Sequence, residues 1–82
     1  MMEFSKGQRV ICVKDFDYVE KGDTGVVAGE RATELAWVPV RWDVKKDELH
    51  DCNGLCEMYH GWFIPCKYIA KTTEPINISE LI

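Results

Sequence analysis

Eighty-two residues with 46% hydrophobic and 29% charged side chains, three of them tryptophan, make one globular domain over 1–82; a second core has no room and a disordered regulator would carry fewer aromatics. Fourteen acids against ten bases give a formal charge of −4, with no run of like charge longer than two. That balance argues against nucleic acid as a partner, because backbone binding needs Lys and Arg gathered on one face.

In chain order, the opening Met-Met-Glu-Phe-Ser-Lys-Gly lacks the basic start and apolar core of a secretory leader, and no apolar run approaches the ~20 residues of a membrane-spanning helix. A cytoplasmic protein is expected, with its four cysteines as thiols or metal ligands. Gly7-Gln8-Arg9-Val10-Ile11-Cys12-Val13 reads as a first strand ending near Asp15. Phe16-Asp17-Tyr18-Val19-Glu20 has no helical period, and Lys21-Gly22-Asp23-Thr24-Gly25 supplies turn glycines before a second strand at Val26-Val27-Ala28.

Residues 35–43 alternate, placing Val38, Val40 and Trp42 inside and Trp37 outside. Pro39 lacks an amide hydrogen, so that position lies at an edge or turns from its neighbour. A short helical turn is expected over Val44-Lys45-Lys46-Asp47-Glu48-Leu49. Gly61-Trp62-Phe63-Ile64-Pro65 is a further strand, with Trp62 in the core beside Ile64 and Phe63 opposite. Cys66-Lys67-Tyr68-Ile69-Ala70 is a tight turn into a last strand, and the tail over 71–82 adds an edge strand or stays flexible. Short strands between turns define an all-β chain, and a five-stranded SH3-like barrel over about 7–70 is the simplest closed form, its long Cys/His-containing loop preceding the last strands.

Gly7-x-x-Val10, Lys21-Gly22-x-x-Gly25-x-Val27 and Val38-x-Val40-Arg41-Trp42-Asp43 resemble the SH3-like barrels of the mind-bomb type and the short KOW-like modules. His50-Asp51-Cys52-Asn53-Gly54-x-Cys56-x-x-x-His60-Gly61-Trp62 is similar to a segment of small bacteriophage and prophage proteins. The first resemblance implies binding of peptides or protein tails, or of RNA in the KOW case, although the basic surface of an RNA-binding KOW module is missing here. The second implies a phage accessory protein working in the host cytoplasm, and brings no established activity.

His50, Cys52, Cys56 and His60 have the composition of a structural zinc site, and Cys66 could replace either histidine. Their spacing departs from the two-residue knuckle of common zinc fingers, so ordinary packing of the thiols is the preferred reading and no resident cofactor is expected. Four protein ligands would leave no place for a metal-bound water. A Cys-His nucleophile oriented by Asp51 is conceivable, but nothing singles out one thiol, and no catalytic residue is assigned. The candidate partner-binding residues are Phe16, Tyr18, Trp37 and Tyr59 with the acids Asp15 and Asp17, an aromatic groove suited to a basic or proline-containing peptide. The expected function is therefore a non-enzymatic protein-interaction module, with an inhibitor of a host enzyme as a variant. A zinc-stabilised assembly domain and a nucleic-acid-binding module are the alternatives.

Overall fold

Each β-branched run forms a strand. The computed structural model describes residues 4–29 and 37–72. Strand β1 spans Arg9–Cys12, β2 Thr24–Val27, β3 Trp37–Trp42, β4 Gly61–Pro65 and β5 Ile69–Lys71, and a one-turn 3-10 helix, η1, occupies Cys66–Tyr68. The chain is all-β: the strands make one antiparallel sheet in the order β4-β3-β2-β1-β5. Among the described residues no helix is long and apolar enough to cross a membrane. The second strand begins two residues before the expected one, and residues 43–49 fold as bends and a turn instead of a helical turn. The tail over 73–82 lies outside the described residues.

Alternation sorts the side chains into two faces. Val10 and Cys12 of β1, Val27 of β2, Val38, Val40 and Trp42 of β3, Ile64 of β4 and Ile69 of β5 are buried in one cluster with Phe4, Val19 and Leu49 from the connections. Trp62 lies on this face, across from Val40, but is only half-buried and packs against the cluster from its margin. Ile64, two residues along the same strand and face, is fully buried, so the margin is the start of β4, where Trp62 meets Tyr18 and the His50 ring.

Pro39 sits in an interior strand, opposite Phe63 of β4. It is tolerated because the β2–β3 ladder runs out there: the Ala28 N–H donates to the Pro39 carbonyl at 2.8 Å one residue beyond the end of β2. Gly25 explains its own presence. A Cβ at that position would stand 2.5 Å from the Arg41 carbonyl oxygen and 3.0 Å from the Trp42 Cα, so β2 and β3 approach as closely as they do only because it is glycine.

The Arg41-Trp42-Asp43 triplet ties three regions together. Trp42 fills the core, and on the other face Asp43 takes two hydrogen bonds from Arg9, at 3.2 and 2.9 Å, and one from the Thr24 hydroxyl at 2.6 Å. Arg41 pairs with Glu57 at 2.6 Å and so fastens the 51–60 loop to β3. Burial pushes the Asp43 carboxyl up, but the bonds from Arg9 and Thr24 and the charges of Arg9 and Arg41 outweigh it and hold it below the ordinary value.

Candidate interaction surface and thiol loop

The connection from β1 to β2 is an arm folded back on itself. Its base is paired, with the Cys12 N–H donating to the Asp23 carbonyl and the Gly22 N–H to the Cys12 carbonyl, both at 2.8 Å. At its tip Phe16 and Val19 exchange two backbone bonds at 2.8 Å around Asp17, whose φ of 53° is in the left-handed region that Asp accepts more readily than most residues. Two side chains of the arm cap its internal amides: Asp15 Oδ1 accepts from the Lys21 N–H at 2.7 Å, and Asp23 Oδ2 from the Glu20 N–H at 2.9 Å. Val19 then points into the core while Phe16 and Tyr18 remain outside it, Phe16 half-buried and Tyr18 exposed.

Phe16 is the centre of a row of rings drawn from three elements. Its centroid lies 5.5 Å from Trp37 at the start of β3, edge to face, and 4.9 Å from Tyr68 in η1. Tyr18 belongs to a second row. It meets Trp62 edge to face at 5.4 Å, and Trp62 in turn lies 4.9 Å from the His50 ring. Lys46 holds the arm against the 43–49 loop by donating to the Tyr18 carbonyl at 2.5 Å and approaching Asp23 at 3.5 Å. Tyr59 is carried by the thiol loop, with the Lys45 ammonium over its ring at 5.7 Å. Of the residues expected to bind a partner, Phe16 and Trp37 are thus brought into contact, while Tyr18 and Tyr59 stand in other neighbourhoods. Asp15 and Asp17 are exposed on the arm.

Tyr68 went unnoticed in the sequence. A three-residue 3-10 turn has too little periodicity to announce itself, and here it follows Pro65, whose extended backbone precedes the turn. The Val13 N–H donates to the Tyr68 carbonyl at 2.8 Å, which carries the β1–β5 pairing into η1 and sets the tyrosine beside Phe16. The Lys14 and Lys67 ammonium groups lie 5.5 and 5.8 Å from the Tyr68 ring centroid.

The 50–61 loop is closed by backbone bonds. His50 and Gly61 exchange N–H···O contacts of 2.9 and 2.6 Å, and Cys52, Asn53 and Gly54 all have positive φ, 51°, 59° and 93°. Both histidines serve this loop through Nδ1. That of His50 accepts the Cys52 N–H at 2.8 Å, which leaves the ring proton on Nε2. That of His60 carries its proton and donates to the Trp42 carbonyl at 2.8 Å.

Cys52 and Cys56 converge on Gly61: a Cβ there would lie 2.9 Å from one sulfur and 2.8 Å from the other. Burial pushes the Cys52 thiol up to about 12, with Cys56 adding to the effect. Burial raises Cys56 as well, against a hydrogen bond with Cys52 and the charge of Arg41. Near neutrality both stay protonated, the opposite of an activated nucleophile. Cys12 is a core residue whose thiol burial also raises, and Cys66 packs against the same core.

The sulfurs are a donor pair for a soft metal, and His60 Nε2 is open to one, but His50 has committed its lone pair to Cys52. Among the described residues no group of three or more His, Cys, Asp or Glu side chains gathers as a metal site. Of the four expected ligands, Cys52 and Cys56 are brought together at Gly61, and both histidines engage backbone groups of the same region through Nδ1.

Comparison with protein-family models finds no match, and comparisons with curated proteins and with solved structures find none.

Proposed function

We propose that the chain is a non-enzymatic interaction module in which an SH3-like barrel presents Phe16, Trp37 and Tyr68 to a peptide or protein tail. Closure of the sheet is supported by its two terminal strands. Ile64 of β4 and Ile69 of β5 are 0% and 3% exposed although neither strand has a neighbour on both sides in the sheet order. The observation that carries the binding reading is the ring row. Phe16, Trp37 and Tyr68 come from an arm, a strand and a 3-10 turn; Phe16 and Tyr68 pack against the core cluster on one side, and all three rings are only half-buried, which leaves part of each open. Partly exposed aromatic sets with fixed edge-to-face geometry suit proline and other apolar side chains of an extended segment, because the rings lose little freedom when they are covered. The likeness of the 50–62 segment to small bacteriophage proteins favours a host or phage protein as the source of that segment.

Selection from a displayed library of ten-residue peptides tests the proposal. Enriched peptides should bind the wild-type chain and lose at least tenfold in affinity against Phe16→Ala and Tyr68→Ala variants that keep the wild-type circular dichroism. Binding unaffected by either substitution, or a library with no enriched sequence, contradicts it.

The second reading is a zinc-stapled assembly domain, and the convergence of Cys52 and Cys56 on Gly61 favours it. Metal analysis of the purified chain separates the two: one equivalent of zinc, with unfolding on chelation, supports the staple. Metal-free, folded protein removes it.

A further inference from the structure

We infer that the segment docking on the Phe16–Trp37–Tyr68 row is acidic, its carboxylates meeting Lys14 and Lys67; this deepens the peptide-binding proposal and rests on it. Two ammonium groups stand over the Tyr68 ring, at 5.5 and 5.8 Å from its centroid, and both lysines are exposed. Neither has an ion-pair partner among the described residues, as is also true of Lys6, Lys21, Lys45 and Lys71; what sets Lys14 and Lys67 apart is that both stand at a ring of the row.

The arm's own acids are turned to other work. Asp15 caps the Lys21 amide, Asp23 caps the Glu20 amide and meets Lys46, and Glu20 lies 4.0 Å from Lys46. Asp17, at the tip, is exposed, as are Asp15 and Glu20, but those two also hold contacts within the arm or to Lys46. A chain of net charge −4 thus keeps two unmatched cations at the one ring of the row that η1 supplies. A cation over a tyrosine face can meet an arriving carboxylate without leaving the ring, and the two contacts, each worth up to ~1 kcal/mol at an exposed site, then add. An acidic side chain next to a proline or leucine satisfies both halves of the surface: the apolar group covers Phe16 and Trp37, and the carboxylate bridges the ammonium groups. A basic segment would bring like charge against Lys14 and Lys67.

Titration of the full chain, followed by amide and indole NMR shifts, distinguishes these outcomes. Three ten-residue peptides with the same proline and leucine spacing carry glutamate, lysine or serine at the flanking positions. The glutamate peptide should shift the Phe16, Trp37 and Tyr68 signals and bind at least tenfold tighter than the lysine peptide, with affinity falling as salt is raised. The Lys14→Glu, Lys67→Glu double variant should reverse that order. A lysine peptide that binds these rings as tightly as the glutamate peptide, or an order that survives the charge reversal, overturns the acidic assignment while leaving the docking surface standing. If none of the three peptides shifts the rings, both fall.

Discussion

Gly61 carries more of the thiol loop than either cysteine. It faces two sulfurs and the His50 carbonyl oxygen, all under 3 Å from where a Cβ would stand, and only one of those three is backbone. Gly61→Ala should therefore cost about 2–3 kcal/mol in urea unfolding, because the sulfurs must move and the carbonyl is held by the bridge that closes the loop. Gly61→Ala combined with Cys52→Ala and Cys56→Ala should recover part of that loss if the sulfurs are the obstacle. An equal or greater loss would assign the cost to the His50 bridge instead. Trp42 makes the opposite case. Its Nε1 is buried without a hydrogen-bond partner among the described residues, so Trp42→Phe gives up ring volume but removes an unpaired donor. It should be markedly milder than the ~3–5 kcal/mol of Trp42→Ala. Chemical denaturation of the two variants checks the difference.

At the same scale Asp43 links stability to acid. Its folded-state pKa lies below its ordinary value of 3.8, so its contribution is complete above that value and drains away as pH falls through the lower, folded one. Asp43→Asn should flatten the part of the pH–stability curve below about 4. The effect is modest, since the carboxylate is 42% exposed and solvent screens the Arg9 pair. An unchanged acid limb would mean that the Arg9–Asp43–Thr24 tie does not persist in solution.

Among elements, the arm between β1 and β2 is tied to the 43–49 connection through Lys46, beside the Val19 and ring contacts that hold it to the sheet. Lys46 reaches the Tyr18 carbonyl and Asp23, so Lys46→Met should leave the sheet intact and loosen the arm, seen as faster hydrogen exchange at the Phe16 and Val19 amides with little change at Val10 or Val40. Uniform acceleration would show that the arm and sheet open together. The strands themselves were largely readable from the chain, because β-branched residues at every second position leave one solution for which face is buried. Val38, Val40, Trp42 and Ile64 are inside for that reason. Alternation assigns a face and not a depth: Trp62, expected in the core, shares its face with the fully buried Ile64 yet stays half-buried at the start of β4. The thiol loop was legible as a cluster of residue types but not as a structure. Its shape follows from the His50–Gly61 bridge, which has no spacing signature, and from three successive left-handed residues, of which only the Asn53-Gly54 pair reads as a sharp turn between the thiols.

Across the whole molecule one core serves all five strands. There is no α-helix among the described residues to cover the sheet, so Val10, Val40, Ile64 and Ile69 bury one another with help from Phe4, Val19 and Leu49. Pairing of β5 with β1, continued by the Val13–Tyr68 bond, brings η1 to the arm and sets Tyr68 next to Phe16, which in turn meets Trp37 at the start of β3. The binding proposal inherits its geometry from that arrangement. The binding residues were half legible. Phe16 and Trp37 stood out as aromatics in a loop and on the outer side of a strand, while Tyr68 joins them only through tertiary folding.

The most direct measurement is the nuclear Overhauser spectrum of the free chain in solution. Cross-peaks from the Phe16 ring protons to both the Trp37 indole and the Tyr68 ring are expected, given centroid separations of 5.5 and 4.9 Å. A Phe16 ring with cross-peaks to neither, in a folded protein, would contradict the placement on which the docking surface depends.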